Sequence, residues 1–566
     1  MQFLIGAGKS PIKCFKKDVG MMGYGMSGNT VDDLSKELSV RSFWVEDGQG
    51  GRFVYSCAEI CFITPAVRRE VMSKIRNEII SDFDESCLML SAQHTHSGPG
   101  GYSEYALYNF TIPGFRRDVF TGIVDGIFNS IEAAYKSRAA GSLELIEHSI
   151  DAATGIAWNR SIEAYNSNPE NEPISDREAH LAIDNRMRML RINRQNGPCD
   201  QINWFGVHAT CIGKSNHSIS FDNKGFAAAH FENMNGGIGV FAQGLAGDVS
   251  PYYHGPEDVK KRKGINGENE HVYAETNGIK QADEAMKALS IEPSFELKGP
   301  IETELVYCDF SNIQVSEEFS HGLPNAKTGG ACHGVSFFNG TRIDGRGLSN
   351  VLNAIAHFMC ILVKLAHRIA MPFKSPKRRK EWKEKYRVQG KKRILMDASE
   401  HRIFGTTNLK GLIIPGFADP TISEIKREYN NIAFSDHPWV PHILPIQIVV
   451  IGKLALVGCP GEPTITAGKR IEGTMLSILK KKGVDQVVVC PYSNAYMGYI
   501  TTFEEYQLQT YEGGHTVYGQ WTLGAFQTKF KELACEMLNE KRSRNLDRKI
   551  QPIAFSRAEL ERRTYD

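Results

Sequence analysis

The chain has 566 residues, 41% of them hydrophobic and 23% charged, and carries a net charge of +1. That composition belongs to a globular protein that buries a large core. The near-neutral balance excludes a whole-chain field that would draw nucleic acid or an acidic substrate, and no run of about 18 uncharged apolar residues predicts a spanning helix.

In chain order, Met1 to Gly6 is too short, and lacks the basic start, for a secretory leader. The expected compartment is cytoplasmic, or secreted or extracytoplasmic if a leader has been removed. Residues 37–47, Arg52 to Phe62 and Ser86 to Ala92 read as strands, and Ala66 to Ile80 and Arg116 to Ser137 carry helical spacing. Strands recur at Ser142 to Ser149, Met187 to Ile192, Ile202 to His208 and Ile238 to Gln243. Strand alternating with helix predicts an α/β fold with a mixed sheet. Residues 255–275 and 315–350, polar and rich in glycine, read as long surface or active-site loops. Val351 to Leu365 contains Asn353, His357 and Lys364 and reads as a buried amphipathic helix. Residues 374–393 hold eleven Lys/Arg and two Glu. They read as a solvated helical face, with contact to an anionic membrane surface as the alternative. Ile446 to Val457 and Gln486 to Cys490 read as strands and Gly524 to Leu538 as a helix. The twelve cysteines are scattered, without a CxxC pair, and are expected to be free buried thiols.

The chemistry concentrates where apolar strands run out. Leu88-Met89-Leu90 leads into His94-Thr95-His96-Ser97-Gly98-Pro99. Two histidines at i and i+2 leave a strand on one face, which suits a metal with a proton-transfer group beside it. Asn203 to Val207 delivers His208, and Ile238 to Gln243 runs through Gly247-Asp248-Val249 to Ser250-Pro251. The segment is no G-x-S-x-G elbow, which argues against an α/β-hydrolase triad. Leu454 to Gly461 delivers Glu462, and the segments around Tyr499 and Tyr511 deliver tyrosines. Two histidines, a glutamate and a tyrosine make a mixed N/O zinc set with a position open for water. Taken singly, each has a plainer reading: His208 as a core histidine, Glu462 as a helix-capping partner, Tyr499 as core and Ser250 as a turn serine.

Taken in order, these segments resemble the neutral ceramidase family. Beside those already quoted, the matching stretches are Met22-Gly23-Tyr24-Gly25, Trp158-Asn159-Arg160-Ser161, Asp222-Asn223-Lys224-Gly225, Gly340-Thr341 with Asp344-Gly345, Pro460-Gly461-Glu462 and Tyr499-Ile500-Thr501-Thr502. The resemblance implies a zinc amidase that cleaves ceramide to a fatty acid and a sphingoid base. It implies His94, His208, Glu462 and Tyr499 as zinc ligands and Ser250 as the nucleophile. His96, Arg160 and Tyr511 then line the reaction centre. Tyr252 and Pro463 depart from the family's usual residues, as does Gly8-Lys9-Ser10-Pro11. The expected organisation is one catalytic domain over 1–538, a charged tail or remnant over 539–566, and a family C-terminal β-sandwich-like domain absent or reduced. The partner implied is ceramide or a related N-acyl lipid; a peripheral membrane contact is the alternative already given for the basic residues 374–393. Two alternatives stand beside it: the same zinc site acting on another N-acyl lipid or amide, and a non-catalytic lipid-binding homologue.

Overall fold

A computed structural model describes residues 3–26, 28–112, 114–251, 264–341, 343–345, 347–408 and 437–562. Tyr252 and residues 255–263 of the first expected loop lie outside the described residues.

The architecture is mixed α/β, in four layers. Strands β1 (Phe3–Pro11), β2 (Ser39–Glu46), β3 (Arg52–Ala58), β4 (Leu88–Ala92), β5 (Ala139–Ser149), β6 (Arg186–Arg194), β7 (Cys199–Phe205), β8 (Gly239–Gln243) and β9 (Phe295–Leu297) form one sheet. Its order is β8-β7-β6-β5-β1-β2-β3-β4, with β9 also on β5. Only the β7–β8 and β3–β4 pairs are parallel. A second sheet orders β10 (Ile301–Asp309), β11 (Ile443–Ile451), β12 (Leu454–Gly458) and β13 (Gln486–Cys490).

Alternation along the strands sorts their side chains between two cores. Phe3, Ile5, Phe43, Val45 and Trp204 of the first sheet pack against Val449, Ile451, Leu456 and Val488 of the second. The opposite faces are covered by helices. Val40 and Trp44 meet the helices Pro65–Glu78 and Arg117–Lys136. Val457 and Val489 meet Ile465–Leu479 and Thr522–Met537. The helix Arg117–Lys136 lies so close to β1 that a Cβ on Gly6 would stand 1.7 Å from the Ala134 carbonyl oxygen, and one on Gly8 2.2 Å from that of Ser130.

Most sequence-predicted elements lie within a few residues of the observed ones, and four differ in kind. Ile446 to Val457 is not one strand: β11 and β12 form a hairpin that turns at Gly452-Lys453, where Gly452 takes φ +56°. The unbroken apolar run reflects two strands, each buried on both faces, which hides the turn. Residues from Glu268 onward are helix (Glu268–Leu289), not loop; its inner face carries alanines, Gly278 and Gln281, too small or polar to mark a core stripe. Within 315–350, Cys332–Gly334 forms a short strand and Val335–Phe338 a helical turn. Val351 to Leu365 is helical, within Asn350–Ala370, but only Ala356 and Cys360 of that helix are buried. Extended to Phe373 it is long and apolar enough to cross a membrane, because its scattered polar residues do not offset so many branched and aromatic ones.

All twelve cysteines are free, and ten are buried. Beyond the helix ending at Met537, Arg544 and Arg548 pair with Glu304 of β10, and Phe555 packs edge-on against Tyr105.

Candidate metal centre and active site

Every candidate side chain except Tyr511, which opens the short helix Tyr511–Gly514, sits in a short strand or just past a strand end. Beyond β4 the chain is held by backbone bonds from Gln93 to Ala58 and from His94 to Ile60. His94 takes φ +70°, a left-handed conformation unusual for a non-glycine residue. His94 and His96 therefore leave the strand before alternation applies, and the same-face argument from i and i+2 does not describe them. They converge nonetheless, with their Nε2 atoms 3.1 Å apart.

His208 follows β7 through Gly206, where a Cβ would stand 2.1 Å from the Leu245 carbonyl oxygen. Its backbone N–H donates to Val249. Val249-Ser250 pairs with Trp158-Asn159 as a short antiparallel ladder, with Ser250 opposite Trp158, and the Arg160 backbone N–H extends it by donating to the Asp248 carbonyl. Glu462 and Tyr499 face one another as Cα partners in the two-residue parallel ladder Glu462-Pro463 with Tyr499-Ile500.

His94, His208 and Glu462 bring one ligand atom each within 4.8 Å of the others. The His94 Nε2 lies 3.5 Å from Glu462 Oε1, and the His208 Nε2 lies 3.1 Å from Glu462 Oε2 and 3.2 Å from the Tyr499 hydroxyl. The Nδ1 of His94 faces the Cys61 carbonyl at 2.7 Å, and that of His208 faces the Val249 carbonyl at 3.0 Å. Those carbonyls assign the proton to Nδ1 in both rings, leaving both Nε2 lone pairs turned to the carboxylate. Acceptors facing acceptors repel unless a cation lies between them, so the donor set fits a divalent metal with N/O preference. Burial, the largest influence, drives His94 down to about 4 against the pull of Glu462, so its ring is neutral near pH 7. Burial works against the Glu462 charge, but His94 and His208 hold its carboxyl well below the ordinary range. Tyr492 donates to Glu462 Oε2 at 3.1 Å and Tyr496 donates to Oε1.

Ser250, Arg160 and Tyr511 join this cluster through Asp344. The Ser250 hydroxyl donates to Asp344 Oδ1 at 2.9 Å, and Arg160 Nη1 donates to Asp344 Oδ2 at 2.8 Å. Arg160 also donates to Glu512, to the Gly247 carbonyl and, at 3.1 Å, to the Tyr499 hydroxyl. Burial opposes charge on Asp344, yet Arg160 and His208 hold it below the usual carboxylate value. The Tyr511 ring lies 5.7 Å from the Arg160 guanidinium and 5.5 Å from the Tyr499 ring. His96 and Tyr511 are half-buried while the other six candidates are buried, so these two mark the open side of the site.

Asp344, Glu512, Tyr492 and Tyr496 were not among the site residues expected from sequence. Asp344 lay within a matched stretch, Gly340-Thr341 with Asp344-Gly345, but an exposed-looking polar loop gave it no assignable role. His333 and His515 are also buried here, with rings 5.2 Å apart and no hydrogen-bond partner on any of their four nitrogens among the described residues. Asp222-Asn223-Lys224 is a scaffold for the His208 loop. Asp222 accepts from the Cys211 and Ile212 backbones, Asn223 donates to the His208 carbonyl, and Lys224 Nζ donates to the Phe205 carbonyl at 2.7 Å.

Two predictions arise from this geometry. Gly23 adopts φ +130°, and a Cβ there would stand 2.4 Å from the His96 ring. Gly23→Ala is therefore expected to displace His96 and lower kcat about 100-fold, with metal content unchanged in the same preparation. Burial lowers the Lys224 amine from 10.5 to about 7. From about pH 7 to about pH 10 the unfolded chain then binds a proton on this lysine that the folded chain does not, so this group makes stability rise with pH. Denaturant titrations across that range should show a shallower rise for Lys224→Met than for the native chain.

The fold and site together define a mixed α/β protein with a buried His/His/Glu/Tyr candidate metal centre at its strand ends. It belongs to the neutral/alkaline non-lysosomal ceramidase family, whose N-terminal sequence model matches residues 3–406 and 428–528. It is 31% identical over 545 residues to the neutral ceramidase of Pseudomonas aeruginosa, covering 94% of this chain and 72% of that protein. It is 31% identical over 561 residues to the neutral ceramidase of Mycobacterium tuberculosis, covering 97% of this chain and 79% of that protein. Among solved structures it is similar to a ceramidase complexed with C2, with TM-score 0.76, 31% identity and coverage of 95% of this chain and 75% of that one. It is also similar to the crystal structure of the Pseudomonas aeruginosa enzyme, with TM-score 0.73, 30% identity and coverage of 95% and 74%.

Proposed function

We propose that this protein hydrolyses the N-acyl bond of ceramide, releasing a fatty acid and a sphingoid base, with a zinc ion held by His94, His208, Glu462 and Tyr499. The observation that carries the reading is the convergence of those four groups on one point, linked through Arg160 and Asp344 to Ser250. The family membership and the ceramidase relatives supply the substrate class.

When bound, zinc would polarise the amide carbonyl and acidify a water beside it. Asp344 orients the Ser250 hydroxyl towards the reaction centre, and its own charge is pinned by Arg160. The new C–O bond forms at the carbonyl carbon and the C–N bond breaks; the proton that the attacking hydroxyl gives up is the one the departing nitrogen needs, and where Ser250 is the attacker a water then releases the fatty acid from it. His96 is placed to carry that proton: its ring is half-buried on the open side, and its Nε2 lies 3.1 Å from that of His94. Burial and the Glu462 carboxylate hold the Tyr499 hydroxyl well above its ordinary value, and Arg160, which donates to it, pulls the other way, towards the ionised form that suits a metal ligand. Tyr511, on the open side, is within reach of charge developing on the carbonyl oxygen.

The test is a substrate panel: a fluorescent ceramide beside N-acyl ethanolamine, N-acyl amino acid and simple anilide amides. Ceramide turnover exceeding the others by at least about tenfold in kcat/KM supports the proposal. Turnover confined to the other amides keeps the amidase site and moves the substrate; no turnover with zinc bound would favour the lipid-binding alternative.

A further inference from the structure

We infer that the outer face of the helix Asn350–Ala370, together with the basic helix that follows it, rests in the interface of an anionic lipid bilayer. The helix carries two apolar stripes. The inner one, with Ala356, Met359, Cys360 and Val363, packs on the main core, and the Cys360 thiol donates to the Ile394 carbonyl. The outer one is Val351, Ile355, Phe358, Leu362, Leu365 and Ile369, spaced by four and three residues in alternation. Each of the six is at least 42% exposed, and Val351 and Ile369 reach 69% and 65%. Spacing of that kind lays all six along one line of a helix. Phe373, just beyond, is 87% exposed. An unbroken apolar stripe of this length marks an interaction surface.

Charge decides what occupies it. The helix Pro376–Gln389 follows directly. Arg378, Lys385 and Arg387 of that helix are committed to Glu381, Glu384, Asp397 and Glu400. Arg368, Lys374, Lys377, Lys380 and Lys383 are exposed and make no ion pair among the described residues. An apolar stripe followed in the chain by exposed cations that form no ion pair among the described residues matches the acyl boundary and anionic headgroups of a bilayer, each cation adding to the attraction. The inner stripe's packing fixes the helix to the body of the protein, so it lies in the interface plane rather than crossing the membrane. The connection to chemistry is short. Immediately before the helix, residues 339–349 link it to Phe337, whose ring lies 5.7 Å from that of Tyr511, and they carry Asp344. A surface seated there would hold a lipid source next to the open side of the site.

The experiment is sedimentation of the full chain with vesicles of phosphatidylcholine alone and of phosphatidylcholine mixed with phosphatidylglycerol, both free of ceramide, so that the result is separate from the substrate reading. The native chain should bind the anionic vesicles at least about tenfold more tightly than the neutral ones and lose that margin in high salt. Phe358→Ser with Leu365→Ser should weaken binding to the anionic vesicles at least about tenfold. Lys377→Glu with Lys380→Glu and Lys383→Glu should abolish the preference for them. Both variants alter exposed side chains, and unchanged thermal unfolding and turnover of a water-soluble amide confirm the fold. No sedimentation of the native chain, or equal binding by the variants, would overturn the inference. So would a dimer without vesicles that Phe358→Ser with Leu365→Ser dissociates, since the stripe would then belong to a second copy.

Discussion

Ser250→Ala is expected to lower kcat/KM for ceramide by about 10³-fold or more while zinc remains bound. The serine is fully buried, and among the described residues its hydroxyl joins the cluster through the 2.9 Å hydrogen bond to Asp344. Removing the hydroxyl leaves Asp344 paired to Arg160 and Thr210, so the scaffold should survive. Steady-state kinetics combined with metal analysis of one preparation checks this. Pre-steady-state mixing adds a finer reading: a burst of one amine product per site in the native chain assigns Ser250 to acyl transfer, and single-exponential turnover assigns it to orienting the attacking water. A Ser250→Ala enzyme with near-native kcat would remove the serine from the chemistry.

His94→Ala is expected to lower zinc affinity by more than about 100-fold and to abolish ceramide hydrolysis at trace zinc. This follows from the facing acceptors. Without one Nε2, the set drops to His208, Glu462 and Tyr499, and Glu462 keeps its hydroxyl donors Tyr492 and Tyr496. Excess zinc should restore part of the activity of His94→Ala but none of Ser250→Ala, which separates ligand loss from loss of the reacting hydroxyl. Competition with a chromophoric chelator measures the affinity term directly.

Much of this centre was legible because strands end where chemistry begins. The apolar runs before His94, His208, Ser250 and Glu462 marked four strand ends, and the order of the motifs tied them together although each residue alone had a plainer reading. What stayed hidden has physical reasons. The partnership of Ser250 with Asp344 spans 94 residues and depends on a loop with no periodicity. The pairing of Glu462 with Tyr499 rests on a two-residue ladder, too short to show as a strand. The left-handed turn at His94 leaves no trace in composition, and it is what converts two alternating histidines into a pair with touching Nε2 atoms. The helix Asn350–Ala370 shows the converse. Its apolar content was evident, but amphipathic spacing does not say whether a second apolar stripe has anything to pack against.

The measurement that tests the central claim most directly is zinc content alongside ceramide turnover, for the native chain as purified, after chelation and after zinc is restored. The account predicts about one zinc per chain, loss of turnover on chelation and its return with zinc. Full turnover by a chain shown to contain no metal would contradict it.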